Sequence, residues 1–257
     1  MATRDESVEI PVDGRTIPGT VVAPAAAVPG MLFVQGWGSS QEVYLPRARQ
    51  IAALGCVGLT FEPRGVARGD PRHETVSRED NLRDLAAAYD LLANRPGVDR
   101  AAVGVVGSSY GAYLAAILTT LRPVRWLTLR VPALYQDEDW AAPKQRLDKD
   151  ALAAYRRHPV ALEENRALRA CAAFVGDALV VESERDDTVP HAVITNYLAA
   201  FRGARSVTYR RIEGADHGLS DRASQEAYAA LLLAWATEMV LGARGGRAYP
   251  PGRPWAG

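Results

Sequence analysis

Two cysteines in 257 residues are too few for a disulfide scaffold. Cys56 lies in the apolar stretch CVGLTF and Cys171 in RACAAF, so each reads as a buried thiol and not as half of a bridge or a metal pair. An excess of either charge is missing too. The 30 basic and 30 acidic side chains cancel, which leaves no long-range field to draw nucleic acid or an anionic membrane. No run approaches the roughly 18 uninterrupted apolar residues of a membrane span, and MATRDESVEI has charges but no apolar core of signal-peptide length. There is no internal repeat. The expectation is a soluble, cytoplasmic protein without nucleic-acid or membrane partners.

What is present suits one α/β domain over residues 1–242. The chain is 48% hydrophobic, ample for a core. Strand-like pieces recur at Thr16 to Ala23, Met31 to Gln35, Val57 to Phe61, Ala102 to Val106, Trp126 to Val131, Ala178 to Glu182 and Ser206 to Ile212. Helical stretches alternate with them, which predicts a mostly parallel central sheet flanked by helices. Ser77 to Ala93 opens with a capping serine and early acids and puts Leu82, Leu85, Tyr89 and Leu92 on one face. Ala223 to Leu241 is a second strong helix, expected to end at Gly242. Residues 134–172 exceed a simple connection and are helical in parts, the pattern of a small lid insertion. Within it Tyr135 and Trp140 are candidate substrate contacts. A tryptophan in DEDWAAPK should face either the pocket or a second copy of the chain, which leaves a homodimer open. The segment 243–257, dense in Gly, Pro and Arg, reads as a surface tail.

The chemistry is concentrated at AAVGVVGSSYGAYLAAILTTL, where an apolar strand breaks at Gly107-Ser108-Ser109-Tyr110-Gly111 and resumes as an apolar helix. A G-x-S-x-G turn between strand and helix holds its central residue, Ser109, on a sharp corner with the hydroxyl outward. A neutral serine is a poor nucleophile and needs a base, itself held in one tautomer by a third group. On such turns the chain order is serine, acid, histidine. That order removes His73 and His158. His191 follows Pro190 at a helix start, whereas His217 lies in a loop directly after a strand, so His217 is the better base. For the acid, ALVVESERDDTVP offers both Asp186 and Asp187 at a strand's end. Oxyanion donors would be the N–H groups of Tyr110, after the nucleophile, and Trp37, between two glycines in QGWGSS.

Together GSSYGA, QGWGSS, ESERDDTVP and EGADHG resemble the α/β-hydrolase superfamily. Among its branches they are most similar to small domains grouped with dienelactone hydrolases, bile-acid-CoA thioesterase-type domains and serine aminopeptidase-like hydrolases. The resemblance runs from about Thr16 to Leu241 and implies the α/β-hydrolase fold. Its G-x-x-D-x-x-V-P pattern selects Asp186 over Asp187, with Ser183 in place of the glycine. Two departures stand out: Gln35-Gly36 replaces the usual His-Gly, and EPRGVARGD replaces D-x-R-G-x-G-x-S. Dienelactone hydrolases use cysteine where this chain has Ser109, and dehalogenase and epoxide-hydrolase branches use aspartate. The resemblance implies a serine hydrolase with Ser109, Asp186 and His217 as its triad, acting on a small-molecule acyl substrate, without metal or organic cofactor. An acyltransferase using the same triad, or a binding protein on the same fold, would be the alternatives.

Overall fold

The computed structural model describes residues 4–23 and 29–244. Eight strands among them form a single sheet in the order β1-β2-β4-β3-β5-β6-β7-β8. Strand β1 (Arg4–Val12) was not expected from the sequence. It pairs antiparallel with β2 (Arg15–Ala23) through Asp13 and Gly14, both at positive φ (49° and 72°). Asp-Gly between alternating strands is the two-residue hairpin signal, and Val8, Ile10 and Val12 alternate with Ser7, Glu9 and Pro11 before it. The charges of this edge strand mask the alternation.

Strand β2 also runs antiparallel to β4 (Val57–Phe61). From there β3 (Gly30–Val34), β5 (Val103–Ser108), β6 (Trp126–Arg130), β7 (Asp177–Arg185) and β8 (Ser206–Asp216) are all parallel neighbours. β5 therefore has three strands on one side beyond its neighbour β3 and lies inside the sheet. Its residues are buried throughout, as a strand covered on both faces must be.

Alternation along the strands divides the core in two. Met31, Phe33 and Val106 face α1 (Leu45–Ala52) and α7 (Arg222–Arg244). Leu32, Val34, Val103 and Val105 face α2 (Arg78–Ala93), α3 (Tyr110–Leu118), α5 (Arg166–Ala173) and α6 (His191–Ala200). The start of α2 is as read: Ser77 Oγ accepts the Asp80 N–H at 3.1 Å and Asp80 returns a bond to the Ser77 N–H at 3.0 Å, a capping box that contributes about 1 kcal/mol. Helix α7 runs through Gly242 to Arg244 rather than ending at the glycine. Gly242 keeps a negative φ there and makes no left-handed cap. The tail expected beyond that point lies outside the described residues.

The insertion after β6 holds 3-10 turns at Lys144–Arg146 and Leu162–Glu164, the short helix α4 (Lys149–Tyr155), and α5. Cys56 and Cys171 are buried free thiols. No helix among the described residues is long and apolar enough to cross a membrane.

Candidate active site

β5 ends at Ser108 and α3 begins at Tyr110, so Ser109 alone makes the turn, at φ 53° and ψ −115°. Such a conformation costs a side-chain-bearing residue about 1–3 kcal/mol. Backbone bonds hold it in place: the Ser109 N–H donates to the Arg130 carbonyl at 2.9 Å, and the Ser109 carbonyl accepts from Tyr113 and Ala133, each at 3.1 Å. The flanking glycines are dictated by close approach. A Cβ on Gly107 would sit 2.5 Å from the Ala112 Cα, and one on Gly111 would sit 2.4 Å from the Val34 carbonyl oxygen. The corner leaves Ser109 only half-buried, with its hydroxyl at the carboxyl edge of the sheet.

His217 follows β8 and reaches that hydroxyl, with Nε2 3.0 Å from Ser109 Oγ. Its Nδ1 is 2.7 Å from Asp186 Oδ2. A carboxylate facing Nδ1 assigns the proton there and leaves Nε2 free to accept from the serine. Asp186 follows β7, and its side chain is only 2% exposed. Its other oxygen accepts the N–H groups of Thr188 at 2.9 Å and Val189 at 2.8 Å. Asp187 is exposed and meets only the Thr188 hydroxyl, at 3.5 Å. The remaining histidines lie apart from Ser109: His191 opens α6 and pairs with Glu182, the His158 carbonyl accepts from Asn196, and the His73 ring lies 4.5 Å from that of Trp37.

The loop after β3 carries Trp37. It is fixed by the Gly36 N–H on the Tyr44 hydroxyl (3.1 Å), the Gly38 N–H on the Val66 carbonyl (2.9 Å) and the Ser39 N–H on the Gly36 carbonyl (3.2 Å). Gln35 braces the same loop, donating to the Ser39 carbonyl at 2.9 Å and to Glu62 at 3.0 Å. The residue that stands in place of the usual histidine thus braces the loop. Burial raises the Glu62 carboxyl above its ordinary range. The Trp37 and Tyr110 N–H groups have no acceptor among the described residues. Two unpaired backbone donors beside a serine hydroxyl are available to an oxyanion.

The insertion reaches this loop. Trp37 Nε1 donates to Gln145 at 3.2 Å, and the Lys144 ammonium lies 4.5 Å from the Trp37 ring centroid. Burial lowers the Lys144 pKa from its ordinary value. At the other end Arg156 donates to the Leu134 and Thr188 carbonyls, beside the Asp186 loop. Of the two candidate contacts, Tyr135 is buried against the rings of Tyr110 and Tyr113. Trp140 is half-buried between the guanidiniums of Arg78 and Arg166. Neither lines the cavity of about 170 Å³ that opens beside Ser109 and His217.

That cavity is lined by Trp37, Ser109 and His217 together with residues the sequence did not single out, among them Arg47 on α1, Tyr228 on α7 and Arg130 at the end of β6. Arg130 Nε donates to Ser108 Oγ and Nη2 to the His217 carbonyl, both at 2.9 Å, tying the residue before Ser109 to the His217 loop. Burial lowers the pKa of its guanidinium. Val131, next in the chain, has φ 39° although it is β-branched and precedes Pro132. The only signal in the sequence was an arginine closing an otherwise apolar strand, LTLR.

The prolyl oligopeptidase family matches residues 45–242. The chain belongs to that family. Among individual proteins, the thiohydrolase aneE of Aspergillus aculeatus is 31% identical over 101 residues, a stretch covering 38% of this chain and 31% of that protein's length. In structure the chain is similar to EstE1, a thermostable carboxylesterase cloned from a metagenomic library, with a TM-score of 0.69, 24% identity and 92% and 89% of the two chains covered. It is also similar to a dienelactone hydrolase from Anabaena variabilis, with a TM-score of 0.64, 20% identity and 92% and 98% covered. These likenesses establish the α/β-hydrolase fold.

Proposed function

We propose that this protein is a serine hydrolase that cleaves an ester, thioester or small amide through an acyl-enzyme on Ser109. The observation that carries the reading is the continuous chain from Ser109 Oγ to His217 Nε2, at 3.0 Å, and from Nδ1 to Asp186, at 2.7 Å, mounted on a strained strand-to-helix turn. In this reading His217 takes the serine proton as Oγ attacks the acyl carbon. Asp186 holds the imidazole in the accepting tautomer and stabilises the imidazolium. The carbonyl oxygen, now negative, is received by the Trp37 and Tyr110 N–H groups. The imidazolium then protonates the leaving oxygen, sulfur or nitrogen, and the carbonyl re-forms as the acyl-enzyme. Water repeats the sequence with His217 as base and returns Ser109.

Membership of the prolyl oligopeptidase family supports including small amides, and the likeness to a thiohydrolase supports including thioesters. Residues 134–172 act in this reading as a roof, supported by Gln145 bound to Trp37 and Arg156 bound beside the acid loop. A fluorophosphonate probe tests the assignment. It should label the wild type and not Ser109→Ala, and p-nitrophenyl butyrate turnover should vanish with the label. Equal labelling of both proteins would place the nucleophile elsewhere.

A further inference from the structure

The cavity beside Ser109 contains two guanidiniums and no carboxylate among its lining residues. Arg130 is 7% exposed, and with Nε and Nη2 engaged its Nη1 is buried without any hydrogen-bond partner. Arg47 donates Nη1 to the Val43 carbonyl at 3.1 Å, while its Nε is also buried and unpartnered. Both guanidiniums lie over the Tyr228 ring, at 5.1 Å for Arg47 and 5.6 Å for Arg130. That contact offsets part of their desolvation but supplies no acceptor for the spare N–H groups. Asp186 acts on Arg130 from beyond the cavity wall, and its two oxygens are engaged by His217, Thr188 and Val189.

Two like charges gathered in a cavity that no carboxylate lines repel each other. An anion in the cavity would offset that repulsion. A planar carboxylate suits guanidinium donors best, because its two oxygens can take parallel N–H bonds. Val43, Leu219 and the Tyr44 and Tyr228 rings supply apolar wall along the same cavity, enough for the short arm that would connect such a group to the reacting carbonyl.

We propose that this cavity is an anion subsite of the active site, in which Arg47 and Arg130 receive a carboxylate carried by the substrate itself. The inference rests on the serine-hydrolase reading and names the substrate class as an acyl compound with a free carboxylate near the scissile bond. That carboxylate can belong to the acyl arm, as in a half-ester of a dicarboxylic acid, or to the leaving group, as in an ester of a hydroxybenzoate.

Two substrate pairs separate these sources: mono-p-nitrophenyl glutarate against p-nitrophenyl butyrate, and 4-butanoyloxybenzoate against phenyl butanoate. The quantity read is the ratio of kcat/KM for the anionic over the neutral member. In Arg47→Met that ratio should fall by about ten- to a hundredfold for one pair, the range of a hydrogen bond to a charged group, and Arg47→Lys should retain part of it. The pair that responds identifies which side of the ester carries the charge. Ratios unchanged in Arg47→Met for both pairs would overturn the proposal while leaving the triad intact. Failure of the triad would show separately, as absent phosphonate labelling and no turnover of the neutral esters. In that event calorimetric binding of glutarate still decides: uptake by the wild type that Arg47→Met and Arg47→Gln lack supports the subsite, and no uptake by the wild type removes it.

Discussion

Replacing Asp186 with asparagine separates the acid from its neighbour and tests the relay at its most enclosed point. The Asp186 side chain is 2% exposed, so no water can substitute for a lost contact. One carboxylate oxygen is committed to the N–H groups of Thr188 and Val189, at 2.9 and 2.8 Å. An asparagine must keep its carbonyl oxygen on those two donors. Its NH₂ then faces His217 Nδ1, 2.7 Å away in the native contact, and two donors oppose each other. The imidazole escapes by moving its proton to Nε2, which can no longer accept from Ser109. The expected loss in kcat is about 10⁴-fold, by the precedent of the same change in serine proteases, equivalent to about 5 kcal/mol of transition-state stabilisation. Asp187→Asn alters an exposed side chain and should stay within about twofold. Both can be read by p-nitrophenyl butyrate hydrolysis, with circular dichroism melts to show that each variant folds. Equal losses at the two positions, or a loss under tenfold at Asp186, would refute the reasoning.

Other outcomes follow from single contacts. Gly111→Ala would drive a Cβ to 2.4 and 2.5 Å from the Val34 and Gln35 carbonyl oxygens, which cannot retreat without moving β3. It should lower stability by about 1–3 kcal/mol or more, and a melting temperature equal to the wild type would contradict the elbow geometry. Trp140→Ala removes a ring held between two guanidiniums; it should lower the melting temperature and leave the acyl chain-length profile as it was, whereas a shifted profile would put the ring in the substrate's path. Cys171 is fully buried, and burial pushes its thiol well above the ordinary cysteine range, so it should resist Ellman's reagent in the native protein and react only on unfolding. Arg130→Lys keeps the charge but loses the fork joining Ser108 to the His217 carbonyl; kcat for neutral esters should fall more than KM rises, and an unchanged kcat would argue against the positioning role.

The elements that set the site's frame were legible because each had a local cause. β5 is an unbroken apolar run, and the glycines at 107 and 111 announce the turn that follows. Ser77 and Asp80 announce α2. His217 and Asp186 follow strands, where a parallel sheet collects its functional loops, and they meet at bonding distance. The losses also have causes. β1 hides behind charges on its solvent face, and α7 continues past Gly242 because the glycine keeps a negative φ and makes no left-handed cap. Tyr135 and Trp140 suggest substrate contacts by their place in the insertion; Tyr135 packs against Tyr110 and Tyr113, Trp140 lies between Arg78 and Arg166, and neither lines the cavity beside Ser109.

Arg130 illustrates what a linear reading misses. In LTLRVPA it resembles the polar end of a strand, where an arginine ordinarily reaches water. Its burial arises from three segments distant in sequence: β6 itself, Ser108 on the neighbouring strand, and the loop of His217. Backbone strain marks the same place. Of the four non-glycine residues at positive φ among the described residues, Asp13 serves a hairpin, while Ser109 makes the strand-to-helix corner, Val131 is the neighbour of Arg130 and Leu219 is a wall of the cavity. Strain of this kind persists only where the surrounding structure enforces it. At Val131 the positive φ is accompanied by a bond from the Val131 N–H to the Val181 carbonyl at 2.7 Å, and two residues later the Ala133 N–H reaches the Ser109 carbonyl at 3.1 Å. The turn that strains Val131 therefore also supports Ser109 and fixes the end of β6 from which Arg130 extends. A relaxed strand end at Val131 would give up those bonds, so the conformation of the Ser109 corner and the burial of the Arg130 guanidinium are coupled through one backbone segment.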